Sequence, residues 1–136
     1  MKKILFDTNI ILDIALKRDP FFEDAYQLFD LIDKKVIIGG ITASTITDIY
    51  YISKKEKGHI KSIEFISGLI EILQIAGIDK EVIINALNSS MHDFEDAIQV
   101  SASEINGMDI IITRNKSDFQ NSTIPVNTPK EFLATH

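Results

Sequence analysis

The sequence predicts an α/β fold in which helices cover both faces of a mainly parallel central sheet, a three-layer α/β/α sandwich. Short apolar runs alternate with longer segments that carry apolar residues at helical spacing, an order typical of parallel strands joined by helices. The runs ILF at 4–6 and III at 110–112 lack the alternation of a half-exposed strand, so both of their faces should be buried. Acidic residues follow these runs closely, which predicts them at the sheet edge where ligands bind.

The elements can be assigned in order along the chain. Strands are predicted over residues 1–6, 34–42, 73–78 and 109–113 and near 125–126. Helices are predicted from about residue 10, over 21–34, 44–57, 60–73, 80–87 and 93–106, and after Pro129. Within this scheme Gly39 and Gly40 are expected to break the second strand, and Gly58 is expected to end the helix over 44–57.

Length and composition limit the class of protein. The 136 residues predict a single domain over residues 1–136. No apolar run approaches the roughly 20 residues that span a bilayer, and the first residues do not resemble a secretory signal. The chain has no cysteine, which excludes disulfides and thiolate metal sites and is consistent with a reducing compartment. We therefore expect a cytoplasmic protein with no membrane partner.

The net charge of −6 argues against binding nucleic acid through a generally basic surface. A nucleic-acid substrate would need a metal to offset the local acidic charge, and clustered basic groups to meet the phosphates. The candidates for such groups are Lys54, Lys55, Lys57, Lys61, Arg114 and Lys116.

Two aspartates in the first half of the chain are candidates for a functional site. Asp7 ends the first strand and precedes a helix, so it can either cap that helix or present its carboxylate at the sheet edge. Asp48 lies near the start of the helix over 44–57, where Thr45 and Asp48 have the spacing of a capping box. Its carboxylate could also face the same edge as Asp7. Asp13 is expected to be a solvated surface acid.

The stretch HDFED and the loop after the strand over 109–113 supply further acids. Asp93 and Asp96 share a helix face and also fit a capping box, whereas Glu95 is expected to point elsewhere. Asp118 follows a strand in a polar loop, where a turn role is the plain alternative. Four separate acids at strand ends or helix starts are stronger evidence for a functional site than any one of them alone. They are Asp7, Asp48, Asp96 and Asp118.

A cluster of carboxylates suits a hard cation such as Mg²⁺ or Mn²⁺. A metal-bound water can attack a phosphodiester while the metal neutralises the developing charge. Zinc has little support, because the chain has no cysteine and only three scattered histidines. Near the acids, Thr113 and Asn115 could bind phosphate or order the ligands, and Arg114 could contact a phosphate through two nitrogens.

Four segments in this order resemble those of the PIN-domain ribonucleases, which include the VapC-type toxins of bacterial toxin–antitoxin pairs. They are FDTNIILD, TASTITDIYYISKK, HDFEDAIQVSAS and IITRNKSDF, and they span nearly the whole chain. The resemblance implies a parallel sheet sandwiched by helices and a metal-dependent endonuclease that hydrolyses RNA. It also implies a homodimer and an antitoxin over the acidic groove, with the helices over 21–34 and 60–73 as candidate contact faces.

The same resemblance assigns roles to single residues. Asp7, Asp96 and Asp118 match acids that bind the metal. Asp48 matches a further catalytic acid, for which many family members carry Glu, and its shorter side chain makes a water-bridged contact an alternative to a direct one. Asn9 and Thr113 match polar residues that support the site. Arg114 and Asn115 are the remaining candidates for support of the site or the substrate.

Two other classes of protein compete with this interpretation. An aspartyl-phosphate phosphatase also has an Asp after its first strand, but its DxDxT pattern needs an acid where this chain has Asn9. A folded RNA- or protein-binding module, in which the acids are only helix caps, would explain the acidic net charge. Phosphate release from a small phosphomonoester and cleavage of RNA distinguish the phosphatase from the nuclease.

Overall fold

The computed structural model describes residues 1–136 and contains a central sheet of five strands. The strands are β1 (Lys2–Phe6), β2 (Ile37–Thr42), β3 (Gln74–Ala76), β4 (Ile110–Ile112) and β5 (Val126–Asn127). Their order across the sheet is β3-β2-β1-β4-β5, and every neighbouring pair is parallel. The predicted three-layer architecture around a parallel sheet is therefore confirmed.

Six α-helices connect and follow the strands. They are α1 (Thr8–Ala15), α2 (Phe22–Asp33), α3 (Ala43–Ile72), α4 (Lys80–Leu87), α5 (Phe94–Ile105) and α6 (Pro129–Leu133). A short 3₁₀ helix, Lys116–Phe119, follows β4. No helix combines the length and the apolar character that crossing a bilayer requires.

Two hydrophobic cores, one on each face of the sheet, account for the uninterrupted apolar runs. Ile4 and Phe6 point into the core formed with α1, α2, α3 and α6, whereas Leu5 points into the core formed with α4 and α5. Strand β4 divides its three isoleucines between the two cores in the same way. Each such side chain, once buried, contributes about 1.5–3 kcal/mol of hydrophobic free energy. All seven strand residues predicted to be buried are buried: Ile4, Leu5, Phe6, Ile37, Ile110, Ile111 and Ile112.

Strand β2 continues through Gly39 and Gly40, so the predicted break in this strand is wrong. A Cβ on Gly39 would lie 2.5 Å from Cδ1 of Ile32 and 2.7 Å from Cε2 of Phe6. A Cβ on Gly40 would lie 2.7 Å from Cε of Met108. Gly39 leaves room for Phe6 and Ile32, and Gly40 leaves room for Met108, so side chains from both cores can close over the strand.

Helix α3 is bent at Gly58, where the backbone leaves helical geometry with φ 83° and ψ 171°. Gly58 therefore ends the first helical segment as predicted, and a second segment follows at once. The hydroxyls of Ser53 and Ser62 are 2.8 Å apart and join the two segments across the bend. The second segment carries apolar residues at helical spacing, which predicts a buried stripe, but Ile63 and Ile70 of that stripe are 42% and 56% exposed.

Candidate functional site

Asp7 follows β1 directly, and its carboxylate accepts four hydrogen bonds. Its Oδ1 accepts from the backbone N–H of Thr8 at 2.7 Å and from Nε2 of Gln99 at 2.9 Å. Its Oδ2 accepts from the hydroxyl of Thr113 at 2.7 Å and from Nδ2 of Asn9 at 3.2 Å. Asp7 is also the N-cap of α1, so the capping role considered from the sequence is present. These contacts fix the orientation of a buried carboxylate.

The neighbours of Asp7 are positioned by the parallel pairing of β1 with β4. The backbone N–H of Asp7 donates to the carbonyl of Ile112 at 2.9 Å, which places the next residue, Thr113, beside the Asp7 side chain. The Thr113 hydroxyl in turn accepts from the backbone N–H of Asn115 at 3.1 Å. Thr113 is fully buried and Asn115 is exposed. Asn9 and Thr113 thus support Asp7, while Asn115 contributes its backbone.

The two aspartates near the start of α5 have different roles. Asp93 is the N-cap, and its Oδ1 accepts from the backbone N–H of Asp96 at 2.9 Å. Asp96 does not complete a capping box, because its side chain makes no hydrogen bond back to the N-cap backbone. The Asp96 carboxylate is therefore not used to stabilise the helix end.

Asp96 lies where negative charge is concentrated. Partial burial raises the pKa of the Asp96 carboxyl to about 7, and neighbouring carboxylates add to the shift. In decreasing order of influence these neighbours are Asp93, Asp7, Asp118 and Glu95. The four ion pairs of the molecule include none of these acids. The edge of the sheet thus carries a group of acids without a cationic side chain to balance them.

Asp48 is connected to this group of acids through Glu95. The N-cap of α3 is Thr42, three residues before Thr45, so the predicted capping box of Thr45 and Asp48 is wrong. The Thr45 hydroxyl instead lies 3.0 Å from the hydroxyl of Thr8. A hydrogen bond with Asp48 raises the pKa of Glu95, with burial and nearby negative charge as further causes. The expectation that Glu95 points away from the site is also wrong.

Asp118 belongs to the 3₁₀ helix that follows β4, and its side chain is exposed. It borders a cavity of about 300 Å³ beside Asp96, without a hydrophobic residue in its lining. The lining residues are His92, Asp93, Asp96, Ser117, Asp118 and Gln120. The fold therefore brings Asp7, Asp96 and Asp118 into one charged region, joined by Asp48 through Glu95.

Arg114 and Asp13 form a buried ion pair, which corrects two expectations from the sequence. Asp13 is completely buried rather than solvated, and the Arg114 side chain is 23% exposed. The guanidinium donates to both carboxylate oxygens, at 2.7 and 3.2 Å, and lies 3.8 Å above the centre of the Phe21 ring. Burial raises the pKa of Asp13, and the charge of Arg114 opposes that shift. Arg114 is thus engaged within the fold and not directed at a substrate phosphate.

Replacing Arg114 with Gln is expected to lower the free energy of unfolding by about 2–3 kcal/mol, because it leaves the Asp13 carboxylate buried without its cation. Chemical denaturation measures this change. Lys34→Gln is the matched control, since Lys34 pairs with Asp30 at an exposed position and its replacement should change stability much less than that of Arg114. Equal effects of the two substitutions would contradict a structural role for the buried pair.

The residues of this region fit a hard divalent cation by their chemistry but are not closed around one. No three acidic or histidine side chains are arranged to hold a metal ion as they stand. The donors are all carboxylates, which suit Mg²⁺ or Mn²⁺, and they lack cationic partners. Binding a cation would require the less constrained acids, Asp96 and Asp118, to reorient toward Asp7.

Gln99 is a contributor to the site that the sequence analysis missed. It is 4% exposed, and its Nε2 donates to Asp7 while its Oε1 is buried without a hydrogen-bond partner. The available signal was its position three residues after Asp96, which places both side chains on one face of α5. A buried amide with one unsatisfied oxygen is costly, and its other end donates to Asp7, so Gln99 is a candidate for a role in the site.

A family model described as PIN domain matches residues 3–117, which is 115 of the 136 residues. The chain belongs to the PIN domain family. No curated protein sequence shows a significant match to it.

Solved structures share the fold. The chain is similar to the Rickettsia felis VapBC2 structure, described as bound to a promoter DNA fragment, with TM-score 0.74, 13% identity and coverage of 93% of this chain and 98% of the other. A toxin–antitoxin complex from Klebsiella pneumoniae gives TM-score 0.70, 24% identity and coverage of 93% and 97%. Mycobacterium tuberculosis VapC20, described as a Sarcin-Ricin loop cleaving toxin, gives TM-score 0.63, 11% identity and coverage of 79% and 86%.

Proposed function

We propose that the protein is a divalent-metal-dependent ribonuclease that hydrolyses phosphodiester bonds in RNA, and that it is the toxin of a toxin–antitoxin pair. The observation that carries this proposal is the group of acids at the carboxyl edge of a parallel sheet, without balancing cations and with the pKa of Asp96 raised to about 7. Acids held this close repel one another, and a bound cation relieves that repulsion. Membership of the PIN domain family supports the same chemistry.

Asp7, Asp96 and Asp118 would hold the Mg²⁺ or Mn²⁺ ion, with Asp48 contacting it directly or through water. The bound ion would lower the pKa of a water molecule and neutralise charge on the phosphate. The chain's own residues supply orientation and proton transfer. Hydrogen bonds from Thr113, Asn9 and Gln99 hold the Asp7 carboxylate in a fixed orientation. The pKa of the Glu95 carboxyl is raised by its contact with Asp48, so Glu95 can hold a proton for general acid–base catalysis.

Two partners follow from the proposal besides RNA. Two of the structural neighbours are described as a toxin–antitoxin complex and as VapBC, which supports an antitoxin protein for this chain. The second segment of α3 exposes Ile60, Ile63 and Ile70, at 72%, 42% and 56%, an apolar surface suited to a protein contact. We propose that a homodimer or the antitoxin covers it. Sedimentation at high micromolar concentration that gives only monomer would count against the dimer.

The proposed activity is tested by incubating the purified protein with defined RNAs in Mn²⁺, Mg²⁺ or EDTA. We expect cleavage with either metal and none with EDTA, because the acids alone cannot neutralise the developing phosphate charge. A small phosphomonoester in the same buffers tests the phosphatase alternative, and phosphate release from it would favour that class. RNA that is bound but not cut with either metal would indicate a non-catalytic binding module, consistent with the open arrangement of the acids.

A further inference from the structure

The most basic stretch of the chain lies on α3, next to the acidic site. Residues 54–61 contain four of the fourteen lysines and arginines against one acid, in a chain whose net charge is −6. These lysines are Lys54, Lys55, Lys57 and Lys61, all exposed and none in an ion pair. Of the other two basic candidates, Arg114 is held by Asp13 and Lys116 by Glu131. Among the six basic candidates, the four lysines of α3 are therefore the ones that form no ion pair.

One flank of α3 connects this stretch to the acids. Asp48, Tyr51 and Lys55 have the spacing i, i+3 and i+7, which places them in a row along the helix. The row is on the order of 10 Å long at a rise of about 1.5 Å per residue. The first segment of α3 packs inward through Ile49 and Ser53, so this row lies to the side of the buried face.

Tyr51 is exposed in a way that allows another aromatic ring to stack on it. Its side chain is 66% exposed, and it contacts Tyr50 edge-to-face, with ring centres 5.3 Å apart and planes at 71°. Such a contact covers at most one face of the Tyr51 ring, so the other face is open. An exposed aromatic between an acidic site and unpaired lysines is the combination that binds single-stranded nucleic acid, in which bases stack and phosphates pair with cations.

We infer that a single-stranded segment of the RNA substrate docks along this flank, with a base stacked on Tyr51 and a phosphate neutralised by Lys55. The inference rests on the proposed ribonuclease function for its substrate class. A duplex would not fit, because paired bases present no free face to a side chain. The acids of the site repel the phosphates of an RNA substrate. Lysines on the neighbouring flank would offset this repulsion by pairing with the phosphates.

Binding of a fluorescein-labelled oligouridylate to the full chain, followed by anisotropy in EDTA, tests the inference without cleavage. Tyr51→Ala should weaken binding about 5- to 100-fold, the loss of one stacked base, whereas Tyr51→Phe should bind within about twofold of wild type. Lys55→Gln should reduce the slope of log affinity against log salt by about 0.7, one single-strand phosphate contact. The matched controls are Leu87→Ala, which removes a side chain that is also 66% exposed, and Lys80→Gln, and both should bind like wild type.

The outcomes separate this inference from the ribonuclease proposal. Binding that depends on Tyr51 and Lys55, in a protein that cuts no RNA with Mn²⁺, would support the docking flank and overturn the proposed activity. Cleavage with unchanged binding and unchanged salt slope in both variants would overturn the docking flank alone. Tyr51→Ala that dissociates a dimer in sedimentation, with RNA binding intact, would assign the flank to a protein contact and also overturn the inference.

Discussion

Replacing Asp96 with Asn is expected to reduce RNA cleavage by about 100- to 1000-fold, the loss of several kcal/mol of transition-state stabilisation supplied through the metal. The same change should make the metal-free protein more stable. The pKa of Asp96 is raised from 3.8 to about 7 in the folded state, so between these values the native state binds more protons than the unfolded state. The free energy of unfolding of the wild type therefore falls as pH rises through this window.

Asn cannot ionise and escapes this decline, so Asp96→Asn should gain roughly 1 kcal/mol over the wild type above pH 7, after allowance for solvent screening. Urea denaturation in EDTA at pH 5 and pH 8 measures the gain, and Mn²⁺ should stabilise the variant less than the wild type. Asp93→Ala is the control on the same helix, expected to lose about 0.5–2 kcal/mol as a cap while keeping cleavage. Full activity in Asp96→Asn would end the nuclease mechanism proposed for this site.

Replacing Asp7 with Ala should have the opposite effect on stability. The substitution removes the N-cap of α1 and leaves the buried donors on Gln99 and Thr113 without the Asp7 acceptor. We expect a loss of about 2–4 kcal/mol in the free energy of unfolding, together with loss of cleavage. Thermal and urea unfolding in EDTA measure the stability, and cleavage is assayed well below the midpoint of the transition.

Asp109→Ala is a matched control for Asp7→Ala. Asp109 also accepts a backbone N–H, from Lys3 at 2.8 Å, but at an exposed position away from the acids. Its replacement should change stability by less than about 1 kcal/mol and leave cleavage intact, since an exposed donor regains its hydrogen bond from water. A variant of Asp7 that unfolds like the wild type would show that the four contacts of its carboxylate contribute little.

The fold was predictable because its strongest signals are local. The uninterrupted apolar runs ILF and III indicate strands that are buried on both faces of the sheet. Most helix boundaries lie within a residue or two of their predicted positions. The error at Gly39 arose because glycine marks both strand breaks and places where side chains close over a strand. The sequence shows a glycine in both situations. Only the packing of Phe6 and Ile32 around β2 shows that Gly39 lies within a continuous strand and does not break it.

The site was less predictable because its contacts join distant segments. Asp13 looked solvated since its partner, Arg114, follows a different strand, and nothing local to Asp13 marks the pair. Helical spacing predicts that Glu95 points away from the face of Asp96, but it does not show that Asp48, on α3, contacts Glu95 and that Glu95 adds to the negative charge at Asp96. The assignment of Asp7, Asp48, Asp96 and Asp118 as catalytic and metal-binding residues stays a prediction for the variants above to test.

The position of β1 in the middle of the sheet has a consequence for synthesis of the protein. The strand is made before its neighbour β4, which begins at Ile110. Asp7 completes its hydrogen bonds only when Gln99 and Thr113 have also been made. A nascent chain therefore cannot assemble the acids while most of it is still being translated. If the protein cuts RNA, it becomes able to do so only after the chain has been made through β4, and a chain truncated before β4 should be inert.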